Sequence, residues 1–303
     1  MNGRIGLAIA VVLTGVSAFL IQVIASQAGT AQPWGNELSD DFVFVRALPI
    51  VLGLGVAYGL VGGWARSTGR PARRGDGAIR RFSGTTIALH ALLAVGFLLA
   101  LPTGLWQYLG GILDAPGPLP VYLYYRIHYV GAAIILVAVT GFVTYWWMTG
   151  DRSLLIPRGD WGRHLRGFAL EIPRPLGTRL ARILKLDLRR PAGSSGAFTF
   201  YEKVFSFPTW GFAIGLITIT GLVKLLRYAV PIPGTIIFVD STLHVTAMVI
   251  LVIRTLDHLR YTLGRWPLVV AIATGWLPPR RGHAAGAAAD VAEAERSATG
   301  AGS

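Results

Sequence analysis

His244 and His258 stand fourteen residues apart in the apolar stretch STLHVTAMVILVIRTLDHL. At about 1.5 Å and 100° per residue, a helix carries the second imidazole roughly 21 Å along its axis and brings it back to within about 40° of the first. One helix thus offers two metal-ligating side chains on one face, near opposite ends of a membrane-thick segment. Imidazole is a common iron ligand, and an ionisable side chain within an apolar span is a functional candidate by default. The chemistry indicated is a pair of haem groups stacked across a membrane.

Two more histidines complete the pattern. Of the six in the chain, four lie in apolar runs: His90, His128, His244 and His258. They sort by depth, His128 with His244 on the outer side and His90 with His258 on the inner side. Histidines that merely pack have no reason to match levels, whereas bis-histidine coordination of iron requires it. Such a haem has both axial positions filled and no open site for oxygen or substrate, which leaves electron transfer as its chemistry. Arg126, Lys224 and Arg227 are candidate partners for the propionates of an outer haem. Arg254, one helical turn before His258, either serves the inner haem or a ligand beside it, or snorkels to the inner surface. His164, in a polar loop, and His283, in the tail, are expected to be solvated.

The elements that must hold these side chains follow from composition. Hydrophobic residues make up 53% of the 303 and charged residues 14%, with a mean hydropathy of +0.54, outside the range of soluble globular chains. The chain reads as an all-α integral membrane protein. Apolar runs of about 20 residues, the length needed to span, occur near 5–26, 44–64, 84–106, 125–148, 204–226 and 241–262. The first could instead be a signal peptide, but with one Arg ahead of it a retained helix is expected.

The net charge of +13 would suggest nucleic acid in a soluble protein, yet its placement argues for topology. Of the 28 Lys and Arg, six lie between Arg66 and Arg81, eleven between Arg152 and Lys203, and five from Arg260 onward, with Arg4 at the start. These belong to alternate loops and share one side, which the positive-inside rule makes cytoplasmic together with both termini. The expected place is a bacterial inner membrane, with lipid and not nucleic acid against the basic loops. The absence of cysteine excludes disulfides, thiolate metal sites, cysteine-ligated iron–sulfur clusters and covalent haem attachment.

Three regions are expected: 1–82, a two-helix membrane hairpin and basic linker without histidine in its helices; 83–265, a four-helix core carrying the chemistry; and 266–303, an interfacial segment with a disordered tail. Within the core a Thr-Gly pair recurs near the ends of spans, and Gly96, Gly131, Gly211 and Gly215 would allow close helix approach. The long polar loop 150–203 is broken by Pro157, Pro173, Pro175 and Pro191, and its stretch GTRLARILKLDL suits a short interfacial helix.

These residues resemble the four-helix dihaem cytochrome b subunits of membrane-bound formate dehydrogenases, nickel-iron hydrogenases and thiosulfate reductases. The match rests on RRFSGTTIALH, with Arg81, Phe82 and His90; on RIHYVG, with His128; and on the His244 and His258 spacing, and it covers roughly residues 80–265. The resemblance implies a four-helix bundle holding two haem b groups, His128 and His244 on the outer one and His90 and His258 on the inner. It also implies an outer-face iron–sulfur subunit, a catalytic subunit, and a quinone (menaquinone or ubiquinone) near the inner haem. In the family the quinone lies by the polar segment leading into the third core helix. Here that segment is AFTFYEK, making Thr199, Tyr201 and Glu202 candidates; it lacks the Asn-x-Gly expected of formate dehydrogenase subunits. Glu202 and Asp257 are candidates for passing protons to a reduced quinone. Two other readings compete: a standalone b561-type transmembrane cytochrome, and a non-redox transporter or scaffold in which the histidines relay protons or pack.

Overall fold

A computed structural model describes residues 37–67, 79–114, 117–151, 154–189, 192, 198–227 and 230–277. Among these the chain is helical apart from one short ladder, and five helices are long and apolar enough to cross a membrane. The protein is an integral membrane protein of all-α type. The expected first span at 5–26, most of the linker, His283 and the tail lie outside the described residues.

Helix α1 (Glu37–Ser67) precedes β1 (Ile79–Arg80), α2 (Gly84–Leu113) and α3 (Val121–Thr149). The loop that follows carries α4 (Trp161–Glu171) and α5 (Arg174–Ile183). A π-helical turn, Glu202–Ser206, runs into α6 (Phe207–Leu226), and α7 (Gly234–Leu263), α8 (Trp266–Thr274) and β2 (Trp276–Leu277) close the described chain. Helix α1 begins at Glu37, so part of the expected outer loop is helical. The spanning helices α2, α3 and α7, at 29 to 30 residues, exceed the roughly 20 a bilayer needs.

The helices pair as hairpins, α2 with α3 and α6 with α7, while α1 lies along α3. Glycine sets the closest approach. A Cβ on Gly131 would fall 2.8 Å from the Ala100 nitrogen and 2.9 Å from the Gly96 carbonyl oxygen, so α2 and α3 meet backbone to backbone only because neither residue carries a side chain. Gly211 and Gly215, expected in the same role, have no atom within 4 Å of such a Cβ. Helix α1 packs along α3: Gly55 and Gly59 face Thr140 and Gly141 of α3, and Phe44, Val51 and Tyr58 share a buried core with Leu89, Leu92, Ile134 and Val137. The two hairpins close on one another through a second layer, where Phe97, Ala100 and Ile135 meet Ala213 and Leu251. Leu251 stands midway between His244 and His258, so this apolar layer separates the two histidine levels.

Polar ties fix the inner ends. Arg66 pairs with Asp151 at 2.7 Å and donates to the Tyr145 hydroxyl at 2.8 Å, which donates to Ser83 Oγ at 2.8 Å. Ser83 in turn caps α2 by accepting from the Thr86 amide at 3.0 Å, so α1, α2 and α3 are locked in register. Strands β1 and β2 pair antiparallel, and the amides of Arg81 and Phe82 donate to the Gly275 carbonyl. That clasp returns the segment after α7 to the start of α2. In the loop, Pro173 stands between α4 and α5, and α5 is the expected short amphipathic helix. Helix α4 was not anticipated, because its short apolar face is hidden among arginines.

Candidate functional site

The inner histidines come together. His90, on the second turn of α2, and His258, near the inner end of α7, have ring centroids 6.1 Å apart at an interplanar angle of 52°. A metal held between two imidazole nitrogens at about 2 Å each sets ring centres about 6 Å apart. Trp210 of α6 meets His258 edge-on at 6.0 Å and lies 6.2 Å from Phe97, walling this level with aromatic surface. Neither imidazole has a hydrogen bond among the described residues.

The outer histidines have their ring nitrogens assigned by their neighbours. His128 Nδ1 lies 3.0 Å from the Ala100 carbonyl oxygen, which can only accept, so Nδ1 carries the proton. Thr103 Oγ1 is 3.3 Å from the same nitrogen and spends its own hydrogen on Leu99 O at 2.6 Å. On the facing hairpin, Thr220 Oγ1 donates to Leu216 O at 2.7 Å and presents its lone pairs to His244 Nδ1 at 2.9 Å. Both arrangements suit the tautomer with Nε2 bare, the form in which imidazole binds a metal. The Thr-Gly recurrence, left unassigned in the sequence, sits here: a Cβ on Gly104 would lie 3.0 Å from His128 Cε1, and one on Gly221 would lie 3.6 Å from His244 Cε1.

Two polar clusters occupy the inner end. Thr199 and Glu202 form a reciprocal capping box, the Glu202 amide donating to Thr199 Oγ1 at 3.1 Å and the Thr199 amide to Glu202 Oε2 at 2.8 Å. Glu202 also pairs with Arg81 at 2.6 Å, and both side chains are buried. Tyr201 points the other way, its hydroxyl donating to Asp257 Oδ2 at 2.7 Å. Arg254 donates to the same Oδ2 at 2.6 Å and to Ser206 Oγ at 2.9 Å, and it lies over the rings of Phe205 and Trp210. Arg254 is 6% exposed, held by Asp257 and Ser206. The five candidates Thr199, Tyr201, Glu202, Arg254 and Asp257 thus fall into two neighbouring networks at the level of the inner histidine pair. Arg254 and Trp210 join the second network to His258.

Near the outer pair, Lys224 donates to Ser241 Oγ at 2.7 Å, and Arg126 lies over the Tyr122 ring. Asp240, one turn before His244, is a buried carboxylate that sequence reasoning passed over, although its position inside an apolar helix was signal enough. Glu171 was missed as well: its carboxylate accepts from the amides of Phe200 and Tyr201 at 3.2 and 2.6 Å, capping the same helix start from α4. The expectation of a solvated His164 is wrong. It is 1% exposed, donates from Nδ1 to Asp160 O at 3.0 Å and meets Phe200 edge-on at 5.3 Å. The reason is the amphipathic face of α4, on which Gly167 leaves room for the Phe200 ring.

No protein-family model, no curated protein and no solved structure matches this chain.

Proposed function

We propose that the chain is the membrane-anchor electron-transfer subunit of an oxidoreductase complex, linking an iron–sulfur partner and its catalytic subunit on the outer face to a quinone near the inner face. His128 and His244 would hold one haem b and His90 and His258 a second. A haem held this way supplies a one-electron ferric/ferrous couple with no open coordination position. The observation that carries the reading is the arrangement of four histidines from three helices as two depth-matched pairs. The inner ring centroids, 6.1 Å apart, suit two imidazoles on one metal, and each outer ring has Nδ1 within hydrogen-bond distance of an oxygen, the arrangement that leaves Nε2 for iron.

The donor set is one of imidazoles in pairs. Among the described residues no three His, Asp or Glu gather closely enough to hold a metal ion, and each histidine pair would supply two imidazoles to a haem. An imidazole with its Nδ1 hydrogen-bonded has Nε2 available for iron, and Gly104 lets the His128 ring lie close against α2. At the inner end, the chain's own residues offer a proton route toward a quinone: the Tyr201 hydroxyl holds a proton against Asp257 Oδ2, and Arg254 and Arg260 donate to that carboxylate and orient it. Thr199 and Glu202, occupied in capping α6 and binding Arg81, shape this level more than they present free groups to a ligand. Orientation in a bacterial inner membrane with both termini cytoplasmic belongs to the same proposal and rests on the Lys and Arg distribution.

Haem stoichiometry by pyridine haemochrome on detergent-purified protein tests the reading, with His244→Ala and His258→Ala measured beside wild type. Two haem b per chain, with each variant losing a different one, is the expected result. Protein without haem, or with haem unchanged in both variants, would overturn it.

A further inference from the structure

We infer that the two Thr-Gly pairs, Thr103–Gly104 on α2 and Thr220–Gly221 on α6, are positioning elements for the outer histidines: each threonine orients the imidazole of the facing helix and the glycine beside it makes room for the ring. This rests on the reading of His128 and His244 as haem ligands.

The geometry is repeated in the two hairpins. Thr103 stands on α2 opposite His128 of α3, and Thr220 on α6 opposite His244 of α7. The sequence separations, 25 and 24 residues, are nearly equal. In each case the hydroxyl hydrogen goes to the carbonyl one turn back, at 2.6 Å for Thr103 and 2.7 Å for Thr220, so the oxygen can only accept from the imidazole. A third Thr-Gly pair supplies the contrast. Thr140 also donates to the carbonyl one turn back, at 2.6 Å, but it and Gly141 face the glycines of α1 and no histidine. The dipeptide alone is thus a helix-packing device, and a histidine across the seam makes it a seat for a ligand.

The two seats are not equivalent. His128 Nδ1 has the Ala100 carbonyl as its nearer acceptor, with Thr103 at 3.3 Å, whereas Thr220 is the acceptor for His244 at 2.9 Å. Space differs in the opposite sense. A Cβ on Gly104 would press on His128 at 3.0 Å, whereas one on Gly221 would make ordinary contact at 3.6 Å. An acceptor on Nδ1–H makes the imidazole a stronger donor to iron and favours the ferric state, so removing it raises the midpoint potential.

The test uses the full chain purified with its haem. Thr220→Val keeps shape and removes the acceptor; Thr220→Ser returns it; Thr103→Val and Gly104→Ala probe the other seat. Haem content, low-spin ferric electron paramagnetic resonance and midpoint potentials are read on each. Expected for Thr220→Val are two haems, a changed g value and a raised potential for one of them, up to about a tenfold shift in oxidised-to-reduced ratio, or about 59 mV for one electron. Thr220→Ser should restore both readouts, Thr103→Val should shift less, and Gly104→Ala should alter the g value of the same haem. If Thr220→Val instead loses the outer haem and Thr220→Ser keeps it, the orienting role is again supported. Unchanged potentials and g values in Thr220→Val, or haem loss in the Val and Ser variants alike, overturn the inference. Loss of one haem in His244→Ala would meanwhile leave the ligand reading standing, while a haem-free wild type would remove that reading first.

Discussion

Arg254 is a guanidinium inside a membrane span, and its neighbours explain how it can be there. A buried charge is tolerable when paired and hydrogen-bonded. Asp257 supplies the charge, Ser206 a neutral acceptor, and Phe205 and Trp210 supply aromatic faces. Asp257 is itself shared, accepting from Arg260 through Oδ1 and from Tyr201 through Oδ2. Removing its charge therefore strands Arg254 more than it frees Asp257. Asp257→Asn is expected to lower stability by roughly 2 kcal/mol, less than for a fully buried pair because Asp257 is itself partly exposed. Thermal unfolding in detergent reads this, and Asp257→Glu should recover part of the loss; an unchanged transition would show that the pair is not what makes Arg254 tolerable. The i,i+3 spacing of Arg254 and Asp257 was visible in the sequence. That Tyr201 and Ser206 complete the set was not, since about 50 residues separate them from the arginine. A single sequence supplies no rule for contacts at that range.

At the scale of elements, the start of α6 shows how one local motif serves two ends. Thr-x-x-Glu before an apolar run is a capping-box signature, legible in TFYE, where the same polar residues also suggest ligand chemistry. What the sequence could not supply is the convergence on that turn: Glu171 caps it from α4, and Arg81, at the foot of α2, binds the same glutamate that closes the box. The π-helical turn that follows carries Ser206, which Arg254 reaches, and Tyr201, which Asp257 reaches, flanks it. π-Turns are common where a helix is bent to functional geometry. Two substitutions separate capping from ion pairing. Thr199→Ala removes the cap alone and should cost about 1 kcal/mol, whereas Glu202→Gln keeps an acceptor for the Thr199 amide but leaves Arg81 buried without its counter-charge, and should cost more. Unfolding midpoints in one detergent should follow that order; the reverse order would show that the cap, and not the ion pair, holds the helix start. The spans themselves were readable because apolar length needs no tertiary information, as α2, α3 and α7 show. Helix α4 was not, because eleven residues with three charges show their buried face only once Phe200 is placed against it.

At the scale of the whole molecule, two hairpins meet at a central apolar layer, and the histidines lie above and below it. Leu251 at that layer, with His244 and His258 seven residues to either side, makes α7 the ruler of the arrangement. The levels differ in chemistry: the outer rings are tied by Nδ1 to the opposite helix of their own hairpin, whereas the inner pair joins one hairpin to the other and is flanked by charged networks. Which level faces which compartment is part of the proposal and is argued from the charges. The loop between α2 and α3 contains Asp114 and no Lys or Arg, while that between α3 and α6 carries arginines along α4 and α5. The positive-inside rule assigns the second to the cytoplasm. A chain without cysteine is a clean background for testing it. Cysteine at Pro118, exposed in the first loop, should react with a membrane-impermeant maleimide on intact spheroplasts, and cysteine at Arg179, exposed on α5, should react only after lysis. Labelling in the opposite order would invert the molecule and place the His90–His258 level at the outer surface. Labelling of both from outside would contradict the hairpin arrangement, because α3 must carry the chain across once between the two positions.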